Sequence, residues 1–421
     1  SKNVHFKENG DFLTLTSGKF SYKIPHSKLP FKKIMLLNSS LVGYIAELGA
    51  EEKIIGVSSP EYIYSDKIHQ LIKENKIQNI GNEQKYDIEK IIAYDGGTRK
   101  SGEAMVAHIK KYYGTQKIDY LINSHPDGDH VSGLIYVLEN MDVGEVWIHQ
   151  PWKYSDEILD LFHDGRMTAN SLSERMKEKL RMAHCVYELA EEKSIPIYEP
   201  YAGAQIGPFT VLSPDKEWYI NTLVPDFSKT PTKAKLVIEK FVDSLESFAE
   251  TVKNILREAW NEENLPNNVE TSAENDSSVI LYADILNKGI LLTGDSGVKA
   301  LTKAAEYAEN HGLQIQEYIK FVQVPHHGSR RNVSTESLDR LIGSASGSEP
   351  SIFQKTALVS ASPGSKKHPR DRVVNAFMRR GFKVIATKGS IKRHYHGMPE
   401  RTGWTSASPL EFSYEVDDTD N

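Results

Sequence analysis

The segment Asn123-Ser124-His125-Pro126-Asp127-Gly128-Asp129-His130 carries four candidate metal ligands, His125, Asp127, Asp129 and His130, within six residues. It directly follows the apolar run Ile118–Ile122, and strand ends deliver loops to active sites. Pro126 and Gly128 predict a tight loop that folds back. Asp129 and His130 can then serve one ion while His125 and Asp127 serve another. A second apolar run, Ile290–Leu292, exits through Thr293-Gly294 onto Asp295. That carboxylate could bridge two cations, the alternative being a cap on the helix that follows. A third run, Phe321–Val324, exits onto Pro325-His326-His327-Gly328-Ser329, and a tandem imidazole pair before glycine favours ligation or catalysis. Three apolar strands that each deliver His or Asp to one rim describe a metal centre without sulfur. The single cysteine, Cys185, excludes a disulfide within the chain and a Cys-rich zinc site, which leaves the 15 histidines and the carboxylates as ligands.

The elements that must hold these loops follow from patterning. At 421 residues, 39% hydrophobic and 26% charged, the chain has globular composition, and its length predicts two or three domains. Its longest apolar runs, Lys33–Leu37 and Leu41–Ile45, fall far short of the roughly 20 residues that cross a membrane. The net charge of −6 argues against a broad nucleic-acid surface. Residues 11–24 read as a hairpin (Phe12–Thr16, Phe20–Ile24). Lys33–Leu37 and Lys53–Val57 read as strands, Ser39–Leu48 and Ile68–Asn75 as helices, and Asp87–Ile92 as the start of another. Beyond residue 93, strands are expected at Ala93–Tyr94, Ile118–Ile122, Val146–His149, Val279–Ala283, Gly289–Leu292, Tyr318–Val324, Ala357–Ser360 and Lys383–Thr387. Helices are expected at Ala104–Tyr113, Leu301–His311 and Asp371–Arg379. Helical spacing of apolar residues in Asp156–Glu192 and Lys235–Glu262 predicts two helical insertions, and Glu415–Asn421 reads as a solvated, frayed tail. Strand–helix alternation argues α/β layers.

With these motifs in order, the sequence resembles the metallo-β-lactamase fold, in the branch seen in the hydrolase domain of ComEC/Rec2 competence proteins. The resemblance runs from about Asp95 to His394. It rests on Asp95-Gly96-Gly97, on Ser124–His130 with Asp127 where the usual loop has its second histidine, and on Asn275-Asp276-Ser277-Ser278. Leu291–Asp295, Val324–Ser329 and Gly364…His368-Pro369 complete it, and Thr387-Lys388-Gly389 is similar to the family's terminal Thr-x-x-Gly element. It implies an αββα sandwich over 93–397, with insertions at 155–193 and 234–263 and a tail at 398–421. It also implies His125 and Asp127 on one metal, Asp129 and His130 on the second, Asp295 bridging, and His326 or His327 completing a shell. Asn275 or Asp276 stands where the family has its third-motif histidine, which makes the first site more oxygen-rich. The implied cofactors are two divalent ions, Zn²⁺ or Mn²⁺, with Mg²⁺ a further choice.

The chemistry of such a centre is hydrolysis by hydroxide generated at neutral pH. Asp129 would orient the water, and His326, His327 or His368 would donate a proton or grip an anionic oxygen. The resembled branch implies a phosphodiester substrate, DNA or RNA among the choices. Ser329, Arg330 and Arg331 after the histidine pair, Lys366 and Lys367 before His368, and Lys388, Lys392 and Arg393 agree with an anion. The competing readings are a hydrolase of a lactam, lactone or thioester, and a binding protein acting through its N-terminal segment. In residues 4–92, Lys33–Val57 and Gly81…Ile91 resemble part of the first lobe of siderophore or cobalamin substrate-binding proteins, with no second lobe to complete it. The absence of a signal peptide and the low cysteine count point to the cytoplasm, with the periplasm and secretion left open.

Overall fold

The computed structural model describes residues 4–17, 20–25, 27, 33–36, 41–57, 63, 65–79, 90–162, 167–227, 255–266, 268–365, 367–395 and 400–417. The chain divides into two compact units. One comprises Ser1–Glu89 with Tyr112–Gly114 and Gly397–Gly403, the other Lys90–Lys111, Thr115–His396 and Trp404–Asn421. Among the described residues no helix is long and apolar enough to cross a membrane.

In the first unit the expected hairpin is extended to an antiparallel ribbon of β1 (Val4–Asn9), β2 (Phe12–Ser17) and β3 (Phe20–Pro25). A separate parallel sheet contains β4 (Ile34–Leu36), β5 (Ile54–Val57) and β6 (Gln78–Asn79), with α1 (Leu41–Glu47) and α2 (Asp66–Lys73) as its crossovers. Leu36, Val42, Ile54, Val57, Ile68 and Ile77 are its core. The helix start expected at Asp87–Ile92 falls largely outside the described residues, and Ile92 begins a strand instead.

The second unit holds the chemistry. β7 (Ile92–Tyr94), β8 (Lys117–Ile122), β9 (Asp142–Trp147) and β10 (Ile197–Tyr198) form a parallel sheet in the order β10-β9-β8-β7. Parallel strands require crossovers, supplied here by α3 (Arg99–Tyr113) and α4 (Gly128–Asn140). The larger sheet runs β11 (Gln205–Ile206), β12 (Phe209–Ser213), β14 (Ile280–Asp284), β15 (Gly289–Leu292), β16 (Ile319–Gln323), β17 (Lys355–Val359), β18 (Phe382–Ala386). It is antiparallel as far as β15 and parallel from β15 to β18. Alternation on β15 shows how the layers form: Ile290 and Leu292 pack with Ile122, Trp147, Val211 and Leu281 between the two sheets, while Leu291 faces the opposite way. There it joins Ala304, Leu338 and Phe377 of the helices Val298–Asn310, Thr335–Ile342 and Asp371–Arg379. The result is a four-layer αββα sandwich whose strand ends converge on the motifs.

Four expectations need correction. Gly128, read as a loop residue, opens the 13-residue α4, so Asp129 and His130 lie in a helical first turn. The spacing of Val131, Leu134, Val137 and Leu138, all buried, drives this helix. Asp156–Glu192 is not continuous: it breaks into α5 (Ser155–Ile158), α6 (Ala169–Lys179) and α7 (Arg181–Glu192), with Thr168 closing a capping box at the start of α6. Of the second insertion, 234–254 lie outside the described residues, and β13 (Ile255–Arg257) is a strand paired antiparallel with β19 (Glu415–Asp417). The expected tail is therefore structural as far as Asp417: Val416 is 1% exposed, and the Asn375 side chain donates to the Ser413 carbonyl at 2.7 Å. Beneath this pair Arg379 bonds Glu258 at 3.0 Å, both buried, and Arg380 bonds Glu263 and Asp339 at 2.7 and 2.6 Å.

Candidate metal centre

At the end of β7 the chain turns through Asp95, with φ of +57°. Its Oδ1 accepts from the Ser124 amide at 2.7 Å and its Oδ2 from the Ser124 hydroxyl at 2.6 Å. Oδ2 also lies 2.8 Å from His130 Nδ1. The bond to Nδ1 turns the opposite ring nitrogen inward, as outer carboxylates do at metal-bound histidines. Glycines bring the backbones close enough. The Gly133 amide donates to the Gly97 carbonyl at 2.9 Å, and a Cβ on Gly133 would collide with the Gly96 carbonyl. A Cβ on Gly102 would collide with the carbonyl of Gly133.

The loop after β8 presents His125, which is 2% exposed, with Ser124 Oγ 2.9 Å from its Nδ1. Its buried Nε2 has no hydrogen-bond partner and lies 3.7 Å from Asp127 Oδ2 and 4.0 Å from Asp295 Oδ2. From the other sheet, Gly294 at φ +56° turns β15 onto Asp295, whose backbone carbonyl accepts from Asn332 Nδ2 at 2.8 Å. Asp295 Oδ2 is the common point: His130 Nε2 lies 3.3 Å from it and His326 Nε2 3.7 Å.

The tandem histidines occupy the turn Pro325–Gly328 with left-handed φ of +42° and +57°. Two consecutive non-glycine residues there are a strained arrangement of the kind that concentrates at functional sites. Each ring is fixed from behind: His326 Nδ1 by Asn332 Oδ1 at 2.8 Å, with Asn275 Nδ2 at 3.3 Å, and His327 Nδ1 by the Ser360 carbonyl at 2.7 Å. This separates the two. His326 reaches Asp295, whereas His327 groups with Asp129 and His130, their ligand atoms all within 4.8 Å of one another. Asp95, His125 and His130 meet the same distance condition, but the Asp95 oxygens are committed to Ser124 and His130, which makes it a positioning group.

The remaining sequence-derived residues fall in different places. His368 packs beside the centre, its ring near-parallel to that of His326 with centroids 6.5 Å apart, and its Nδ1 is buried without a partner. Ser329 turns inward to accept from the Arg331 amide at 3.3 Å, and Arg330 is only 9% exposed. Arg331 and Lys367 are exposed, while Lys388 Nζ donates to the His368 carbonyl at 3.0 Å; Lys366 lies outside the described residues. Asp276 is buried, with the amides of Gly297 and Ala300 against its carboxylate, and joins neither ligand group among the described residues. Burial raises its pKa to about 6. The positioning roles of Asp95, Ser124 and Asn332 are not legible in the sequence, whose one signal is the Asp95-Gly96-Gly97 turn at a strand end.

The electrostatics suit a cation. Burial works against charge on His130, yet Asp95 and Asp295 raise its pKa to about 11. Burial also opposes ionisation of Asp295, but His130, His125 and His326 hold it well below the usual carboxylate range. Burial and then His130 lower the pKa of His125. Two ligands about 2.1 Å from one ion stand roughly 3.0–3.4 Å apart, a little closer than the 3.3–4.0 Å found around Asp295 Oδ2. With the unpartnered Nε2 of His125, this donor set of imidazoles and carboxylates fits divalent ions.

No curated protein matches the chain. Its layered α/β architecture with a parallel sheet is consistent with the metallo-β-lactamase fold. The stretch from β7 into the first insertion, residues 92–164, which carries Asp95 and the His125–His130 motif, matches the metallo-beta-lactamase superfamily, a generally hydrolytic, metal-dependent group.

Proposed function

We propose that the chain is a metal-dependent hydrolase that cleaves a phosphodiester, in a nucleic acid or a nucleotide. The supporting observation is the convergence on Asp295 Oδ2 of three imidazole Nε2 atoms, His125 and His130 from one motif and His326 from another, at 3.3–4.0 Å. Divalent ions held there, Zn²⁺ or Mn²⁺ with Mg²⁺ as a further choice, would supply Lewis acidity and a bound water of lowered pKa. His125, Asp127, Asp295 and His326 form one side of the centre, and Asp129, His130 and His327 the other. Asp129, exposed in the first turn of α4, orients the attacking water. Burial and then Arg370 lower the pKa of His368 to about 4, so at neutral pH it meets a substrate oxygen as an uncharged imidazole. Exposed Arg331 and Lys367 favour an anion, and Asp127 makes the first site richer in oxygen.

The test is metal analysis of purified protein together with turnover of bis(p-nitrophenyl) phosphate and single-stranded DNA in Zn²⁺, Mn²⁺ and Mg²⁺. Asp129→Ala should abolish turnover with little change in thermal melting. Hydrolysis of a lactam or thioester without any phosphodiester cleavage would redirect the reading to that substrate class. Absence of bound metal, with the variant indistinguishable from wild type, would remove the metal centre itself.

A further inference from the structure

Two residues beyond β9, next to the strand that delivers His125, lies a histidine that the centre does not use. His149 is 7% exposed, and neither of its ring nitrogens has a hydrogen-bond partner. Its ring stacks on Tyr219 with centroids 4.1 Å apart and lies 4.9 Å from Tyr201. Burial lowers its pKa to about 3, so it is neutral. The indole Nε1 of Trp152, 3% exposed, is also unpartnered. Both side chains line one cavity of ≈ 10 Å³ with Asn123, His125, Pro126 and Tyr219. That volume is about what one water centre occupies, and buried polar groups are as a rule hydrogen-bonded. The walls carry no charged side chain, so an ion would lack a counter-charge there.

We propose that this cavity binds a single neutral, water-sized molecule, held by the His149 imidazole and the Trp152 N–H, and that His149 is thereby a positioning residue for His125. Asn123 lines the same cavity and donates from Nδ2 to the His125 carbonyl at 2.8 Å. A water at this position links the wall of aromatic rings to the backbone that carries a ligand. The second half of the proposal rests on the metal-centre reading; the first does not.

The variants are His149→Phe, which keeps a flat ring and removes both nitrogens, and His149→Gln, which keeps a donor and an acceptor. High-resolution crystal structures of the wild type, metal-free and Zn²⁺-loaded, should show a water within hydrogen-bond distance of His149 and Trp152, and His149→Phe should lose it. Zn²⁺ affinity, measured by competition with a chromogenic chelator, should fall about 10-fold in His149→Phe, with His149→Gln recovering most of the loss. A dry cavity in the wild type overturns the binding site. A water present but Zn²⁺ affinity unchanged in His149→Phe overturns the positioning role. Should the wild type bind no Zn²⁺, the metal-centre reading fails instead, and the site is still decided by the metal-free structure. If His149→Phe does not fold, Trp152→Phe, which removes the other donor, carries the same comparison.

Discussion

His130 and His149 are about equally buried, 8% and 7% exposed, one in the first turn of α4 and one just beyond β9, yet they occupy opposite electrostatic worlds. His130 sits between Asp95 and Asp295, which raise its pKa to about 11 against the effect of burial. His149 packs against Tyr219 and Tyr201, and burial alone lowers its pKa to about 3. Depth therefore does not decide whether a histidine invites positive charge; the carboxylates placed around it do. Asp95 and Asp295 arrive at the candidate centre from two different sheets and favour a cation there. No carboxylate lines the aromatic pocket.

The comparison breaks most visibly at Asp295. Asp295→Ala removes the one carboxylate shared by three histidines, and kcat/KM for bis(p-nitrophenyl) phosphate should fall at least ~10³-fold, with bound metal lost in elemental analysis. Next, Asp95→Ala leaves His130 without its Nδ1 partner and should weaken Zn²⁺ binding ~10–100-fold in chelator competition. At His149 the effect concerns stability and has a definite sign. Its folded pKa lies below the unfolded value near 6.5, so the unfolded chain takes the proton first. The stabilisation is full above pH 6.5 and is lost as pH falls toward 3. Urea melts of the wild type should lose about 1 kcal/mol more than those of His149→Phe between pH 6.5 and 5.5; parallel pH dependences would show that His149 is not held neutral. The smallest change is expected at exposed Arg331, where Arg331→Ala should raise KM for single-stranded DNA about 2- to 5-fold, an effect that salt erases.

The candidate ligands were legible in the sequence because they follow the apolar runs Ile118–Ile122, Ile290–Leu292 and Phe321–Val324, which announced the strands. What aims the ligands was not. Asp95 is 35 residues from His130, and Ser360 is 33 residues from His327, so only the folded sheets bring them together. Asn332 is just six residues from His326, but an asparagine in a polar turn has no distinguishing pattern. α4 was missed although Val131, Leu134, Val137 and Leu138 carry its period, because Pro126 and Gly128 suggested a loop. The strand β19 was missed for a related reason. Its aspartates suggest a solvated end, and the pairing with β13 and the Arg379–Glu258 contact come from residues far upstream. His149 gave no signal, since a lone histidine after an apolar run is ordinarily unremarkable.

The contact of Gly96, Gly102 and Gly133 has a mechanical consequence. With no room for a single methyl group at this seam, the turn after β7, α3 and α4 are locked into one block. Asp129 and His130 ride on that block, whereas His326 and His327 sit on a left-handed turn tied down by the His326 amide to the Gly294 carbonyl at 3.2 Å and by the bonds behind their rings. The centre thus has a stiff jaw and a compliant one. Amide hydrogen exchange should register them as separate steps, with the Pro325–Ser329 turn opening at lower cost than the α3–α4 seam, so any adjustment to a substrate is made by the tandem histidines.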